Sequence, residues 1–162
     1  MDRIEIVMHR ESIVHSLVEY ADGSVKAQLG EPDMRLPIQC ALSYPERLAS
    51  AGVPRLNLAR VKTLSFCEVD LGRYPCLRLA LEAGAKGGTW ATVLAAADEV
   101  AVEQFALGAI GFTDIPKVVD SALSAHSGAA DPSLEAILEA DAWARAFAMD
   151  RVRAAQPLVR AR

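Results

Sequence analysis

His9 and His15 lie six residues apart, an even spacing that on extended backbone can place both rings on one face. Such a pair could hold a metal, but Arg10-Glu11-Ser12 interrupts the strand-like pattern between them and no acidic or cysteine partner stands at ligand spacing. Hydrogen-bonding histidines of a core or cleft are expected instead. Glu99 and Glu103 are one helical turn apart, which a solvated helix face explains without acid–base chemistry. Asp98 and Glu99 are adjacent and point in different directions on a helix, a poor catalytic pair. Gly84-Ala85-Lys86-Gly87-Gly88-Thr89 leads into a helical pattern whose first N–H groups could hold a phosphate. No strand precedes it, so a glycine-rich turn between two helices is expected. Met34 opens a short helix among charged neighbours: it either fills a gap at a sheet edge or offers its polarizable side chain to a flat ligand.

No G-x-G-x-x-G after a strand, G-x-x-x-x-G-K-[ST], H-E-x-x-H or G-x-S-x-G occurs. Cys40, Cys67 and Cys76 are odd in number and form no C-x-x-C pair, so reduced, mostly buried thiols are expected rather than disulfides or a zinc site. A net charge of -4, from 17 basic and 21 acidic residues spread over both halves, provides no basic face for nucleic acid. The opening MDRIEIVMHRES lacks the apolar run of a signal peptide or membrane span, which points to a soluble, cytoplasmic chain with no membrane partner. At 162 residues and 52% hydrophobic, the chain can bury about two thirds of its unfolded surface, enough for one real core or two modest ones.

The elements that must carry these residues follow from period and punctuation. Ile4 to Met8 is a short β-branched run; Ile13 to Tyr20 and Val25 to Leu29 are two more, joined by Asp22-Gly23, a strong hairpin signal because glycine accepts the positive φ of a tight turn. Ile38, Ala41 and Leu42 then mark a short helix, with Asp33 placed to cap it and Tyr44-Pro45 to end it. Residues 44–69 carry Pro45, Gly52 and Pro54 without sustained period and read as a linker. Beyond residue 70 the chain is Ala-rich and helical. One helix opens at Tyr74-Pro75; a second follows Thr89, a third follows Thr113, and a fourth follows Asp131-Pro132-Ser133 with a possible restart at Asp141. The expectation is an α+β chain: residues 1–43 a small antiparallel hairpin with a short helix, and residues 70–162 a C-terminal four-helix bundle.

Several blocks carry a resemblance. Ile13-Val14-His15-Ser16, Asp22-Gly23-Ser24-Val25, Ala27-Gln28-Leu29-Gly30, Pro32-Asp33-Met34-Arg35, Tyr74-Pro75-Cys76-Leu77, Leu94 to Val102, Ile110 to Ile115 and Ala140 to Arg145 occur in the order and spacing of 1-deoxy-D-xylulose 5-phosphate reductoisomerase, and nearly the whole chain resembles its last portion. The resemblance implies an enzyme that converts 1-deoxy-D-xylulose 5-phosphate to 2-C-methyl-D-erythritol 4-phosphate with NADPH and a divalent cation (Mg2+, Mn2+ or Co2+), on the non-mevalonate route to isoprenoids. It implies that residues 1–43 end a catalytic α/β domain, that residues 70–162 are the C-terminal bundle, and that a homodimer forms through the sheet region.

The family's metal-binding carboxylates and phosphate-holding residues lie in segments upstream of those matched here. By resemblance, His15, Pro32 and Met34 line the active-site cleft, Met34 beside the nicotinamide, with no catalytic or metal-binding residue in this chain and no cofactor expected on it alone. The chain departs from the family's usual His-Pro-Gln-Ser at His9-Arg10-Glu11-Ser12 and from Asn-Glu at Asp98-Glu99. A different class of function remains open: a free-standing, non-catalytic dimerisation or interaction module derived from that family.

Overall fold

The computed structural model describes residues 3–49, 52–128 and 130–155. Packing divides them into two compact units: residues 5–69, and residues from Asp70 onward together with Arg3 and Ile4. Among the described residues, two small antiparallel sheets and six α-helices make the fold α+β, as expected. The last residues assigned to the expected bundle, 156–162, lie outside the described ones.

In the first unit, β2 (Val14–Glu19) and β3 (Val25–Leu29) form the hairpin. Gly23 takes φ +81°, and Asp22 Oδ1 accepts the Ser24 N–H (2.9 Å) and hydroxyl (2.6 Å), closing the turn by the chemistry its sequence announces. Leu17 pairs with Ala27 and Ser16 with Gln28, but Val14 pairs with Leu29, leaving His15 as an extra residue in a bulge. β1 is shorter than the Ile4–Met8 run predicts: only Val7–Met8 pair, antiparallel to β4 (Cys67–Glu68). Residues 44–69 therefore hold more than a connection. They contain β4 and a single-turn helix, α2 (Leu58–Val61), capped by Asn57 Oδ1 on the Arg60 N–H.

Helix α1 (Arg35–Ser43) begins one residue later than an Asp33 cap implies. Asp33 Oδ1 accepts the Arg35 N–H at 2.9 Å, so the carboxylate still serves the first turn from just outside it. Tyr44, extended ahead of Pro45, ends the helix. None of α1's residues is buried, and among the described residues Ile13 is the one buried apolar side chain of this unit.

The second unit holds the core. Helices α3 (Pro75–Lys86), α4 (Trp90–Ala106), α5 (Ile115–Ala125) and α6 (Leu134–Ala155) surround Leu79, Val93, Val119 and Val152, all essentially inaccessible. Ala96, Ala97 and Ala101 on α4 and Ala140, Ala144 and Ala148 on α6 are also buried, and such small side chains let helix backbones approach closely. Sequence and structure part at the helix starts. Helix α3 runs through Gly84 and stops at Gly87 (φ +68°). Thr89 makes no cap bond, and Thr113 sits within a 3-10 turn, Phe112–Asp114, where Asp114 Oδ2 accepts the Gly111 N–H (3.0 Å). Helix α6 does not restart at Asp141; that carboxylate accepts from Arg145, which also reaches Glu99 of α4. Glu99 is thus an ion-pair partner rather than merely solvated. All three cysteines are free, but Cys67 and Cys76 are exposed and Cys40 half-buried, against the expectation of mostly buried thiols. Among the described residues, no helix is long and apolar enough to cross a membrane.

The connection from α5 to α6 is held by aromatic contacts. The His126 ring lies between Trp90 (5.1 Å between centroids) and Trp143 (5.4 Å), with Nε2 2.8 Å from the hydroxyl of buried Thr89. Lys86 Nζ covers the Trp90 ring at 3.8 Å, and Arg151 lies over Phe147, the next ring beyond Trp143. Burial holds the His126 pKa below its ordinary 6.5, so the unfolded chain takes up a proton that the folded chain resists. Stability is therefore complete above that value and declines as pH falls through it. Thermal unfolding of the helical unit should move to lower temperature between about pH 8 and about pH 5. His126→Gln should flatten that dependence.

Candidate functional site

An open groove of about 580 Å3 runs beside the hairpin in the first unit, and His15, Pro32 and Met34 all line it. Each reaches the groove for a local reason. The bulge turns His15 out of the alternation of β2, so that it joins Gln28 and Gly30 on the lining. Gly30 N–H donates to Ile13 C=O at 3.0 Å, holding the point where the chain leaves β3. Pro32 and Asp33 then turn the chain into α1. Met34, at the N-cap position of α1, is 70% exposed in this chain and does not pack into the sheet edge here.

Asp33 and Arg35 form an ion pair at this turn. Hydrogen bonds from the Arg35 guanidinium, then from its backbone amide, pull the Asp33 carboxyl down to about 2. It is ionised at neutral pH and neutralised by its neighbour, so it is no general acid. Leu36, Pro37, Ala41 and Tyr44 extend the apolar lining, with Cys40 beside them. The surface suits the flat face of an apolar or aromatic ring, with imidazole and amide groups at one end.

His9 does not join His15. Its ring nitrogens are engaged by the Ile13 N–H and the Ser65 carbonyl, and its face stacks on Phe66. Hydrogen bonds from Ser65 hold the Glu11 carboxyl below the usual carboxylate range. Sequence reasoning missed these contacts because 44–69 read as a linker; the alternation of Leu64 and Phe66 with Ser65 was the available sign of extended structure. Among the described residues no three His, Cys, Asp or Glu side chains converge as a metal site. Among the described residues, then, no donor set fits the divalent cation that the resemblance implies, and no metal-dependent step is assigned to them. Gly87-Gly88 links two helices, with Lys86 turned onto Trp90 rather than toward a phosphate site.

Comparison with known proteins identifies the family. The family model described as DXP reductoisomerase C-terminal domain matches residues 29–147. The reductoisomerase of Exiguobacterium sibiricum is 56% identical over 146 residues, covering 90% of this chain and 38% of that protein; that of Gloeobacter violaceus is 57% identical over 144 residues, covering 89% and 36%. A solved reductoisomerase from Zymomonas mobilis in complex with NADPH superposes with a TM-score of 0.82 at 39% identity, covering 91% of this chain and 39% of that one. A reductoisomerase solved with NADPH, fosmidomycin and magnesium also gives 0.82, at 40% identity, covering 91% and 38%. The chain belongs to the 1-deoxy-D-xylulose 5-phosphate reductoisomerase family. It spans well under half the length of the relatives it matches.

Proposed function

We propose that this chain serves as the C-terminal portion of an NADPH- and divalent-cation-dependent enzyme that converts 1-deoxy-D-xylulose 5-phosphate to 2-C-methyl-D-erythritol 4-phosphate, and that it is inactive by itself. The observation that carries the proposal is the convergence of His15, Pro32 and Met34 on one open groove where, among the described residues, no three side chains come together as a metal site. The groove is one wall of the cleft, with Met34 covering the nicotinamide; the remaining walls and the charged groups come from the NADPH-binding and catalytic segments. Residues 1–43 complete the catalytic domain, 44–69 link it to the bundle, and 70–162 form the bundle. The contrast between the two compact units supports this division, because the buried core lies in the helical one.

The exposed apolar side chains of the first unit, Leu17, Val18, Val25, Ile38 and Leu42 among them, also support an incomplete domain. A two-stranded hairpin is marginal alone in water and gains stability from further strands. Its free edges suit a homodimer formed through the sheet, within a cytoplasmic enzyme. Those same edges favour the second reading, an interaction module without catalysis.

One experiment separates the two. The purified chain, given 1-deoxy-D-xylulose 5-phosphate, NADPH and Mg2+, should oxidise no NADPH. Joined to the N-terminal portion of a relative, it should restore turnover, and Met34→Ala there should weaken NADPH binding about tenfold, the loss expected when a side chain covering a flat ring is truncated. Turnover by the chain alone, or a joined enzyme that folds and binds NADPH but does nothing, would sink the proposal.

A further inference from the structure

The two walls of the groove share an anchor outside it. Ile13 N–H donates to His9 Nε2 at 3.1 Å, and Ile13 C=O accepts the Gly30 N–H at 3.0 Å. His15 follows Ile13 by two residues on one wall; Pro32 and Met34 follow Gly30 on the other. Because Nε2 accepts, a neutral His9 ring carries its proton on Nδ1, 2.8 Å from the Ser65 carbonyl and 3.1 Å from Glu11 Oε2. Glu11 Oε1 accepts both the Ser65 N–H (3.2 Å) and the Ser65 hydroxyl (2.7 Å). Phe66 stacks on the ring at 4.6 Å and 17°, and the His9 side chain is only 6% exposed.

Glu11 Oε1 takes both Ser65 donors, while buried Oε2 lies 3.1 Å from Nδ1 without a hydrogen bond among the described residues, so the carboxylate presents charge to the imidazole; an ionised carboxylate only accepts, whereas a glutamine would turn an NH2 toward the Ser65 donors or the ring. We propose that His9, Glu11 and Ser65 form a positioning clasp that sets the His15 wall of the groove against the Pro32–Met34 wall. Its consequence for catalysis rests on the groove being the cleft wall described above; the clasp itself needs no substrate.

The test is nuclear magnetic resonance, at neutral pH, of the 15N-labelled chain joined to the N-terminal portion of a relative, so that the first unit has the rest of its domain. The expected His9 ring is protonated at Nδ1 and bare at Nε2, with slow amide exchange at Ile13 and Gly30. His9→Phe keeps an aromatic face for Phe66 but removes both ring nitrogens. It should speed exchange at Ile13 and Gly30 about tenfold or more and shift His15 and Met34, leaving the Gly23 turn and Leu123 of the bundle unmoved. A ring that acts only by stacking predicts wild-type exchange in His9→Phe, which would overturn the clasp. If that variant does not fold, the wild-type spectrum decides: an Nε2–H ring, or one averaging as in solvent, overturns it. An Nδ1–H ring alongside an inactive joined enzyme would uphold the clasp and sink the functional proposal, so the two failures are distinguishable.

Discussion

Leu79→Ala should lower the unfolding free energy of the helical unit by about 2–5 kcal/mol. The side chain is 1% exposed on α3 and packs into the cluster that includes Val93, Val119 and Val152. Its removal gives up the transfer energy of the lost methyl groups and opens a cavity in a core whose many alanines have little reach to refill it. At roughly 4–8 °C per kcal/mol for a unit of this size, the helical circular dichroism signal should melt about 10 °C or more below wild type. The matched control is Leu42→Ala on α1, where the side chain is 86% exposed and the expected change stays within about 0.5 kcal/mol. Equal losses at the two sites would mean that the first unit carries its own core, contrary to the packing described above.

Gly128→Ala should be the most damaging change of a single methyl in the α5–α6 connection. A Cβ there would sit 2.6 Å from Trp90 Nε1, 2.9 Å from Cδ1 and 3.1 Å from Thr89 Oγ1. The indole cannot swing aside freely, since Lys86 covers one part of it and the His126 ring abuts another. The connection or Trp90 must shift, at a cost of about 1–3 kcal/mol, the range typical of overpacking. Urea unfolding followed by tryptophan fluorescence measures this directly, and the native spectrum should change as well because Trp90 itself is displaced. A variant with wild-type stability and an unchanged native spectrum would show that the connection has slack.

Much of this architecture was legible from residue types. The Asp22-Gly23 hairpin, the helix opening at Tyr74-Pro75 and the four-helix count follow from turn chemistry and hydrophobic period, and the helix expected after Thr113 forms two residues on, from Ile115. That His15, Pro32 and Met34 line one groove is visible only in the structure, since nothing in their spacing reveals a common surface; their grouping as a cleft wall comes from resemblance. What stayed hidden depends on contacts between distant residues. The bulge at His15 exists because Val14 pairs with Leu29 while Ser16 pairs with Gln28, a register no local pattern prints. Glu11 and Ser65 are 54 positions apart, and a proline- and glycine-bearing stretch between them disguised the return of the chain. Thr89 was well placed for a cap, but His126 took its hydroxyl.

The His9 clasp has a consequence for how this part of the chain can change length over evolutionary time. Among the described residues between Pro45 and Asn57, Glu46 and Leu48 are hydrogen-bonded to Ser43 and Gln39 of α1, and the entropy of closing a longer loop beyond them rises only slowly with added residues. Insertions and deletions there leave Ser65 free to return to the same imidazole. From Thr63 to Glu68, a single added residue would offer His9 the wrong carbonyl and slip Cys67 out of register with Met8. The stretch that looks like one linker therefore has two halves: one that can gain or lose residues, and one whose length is as constrained as that of a strand.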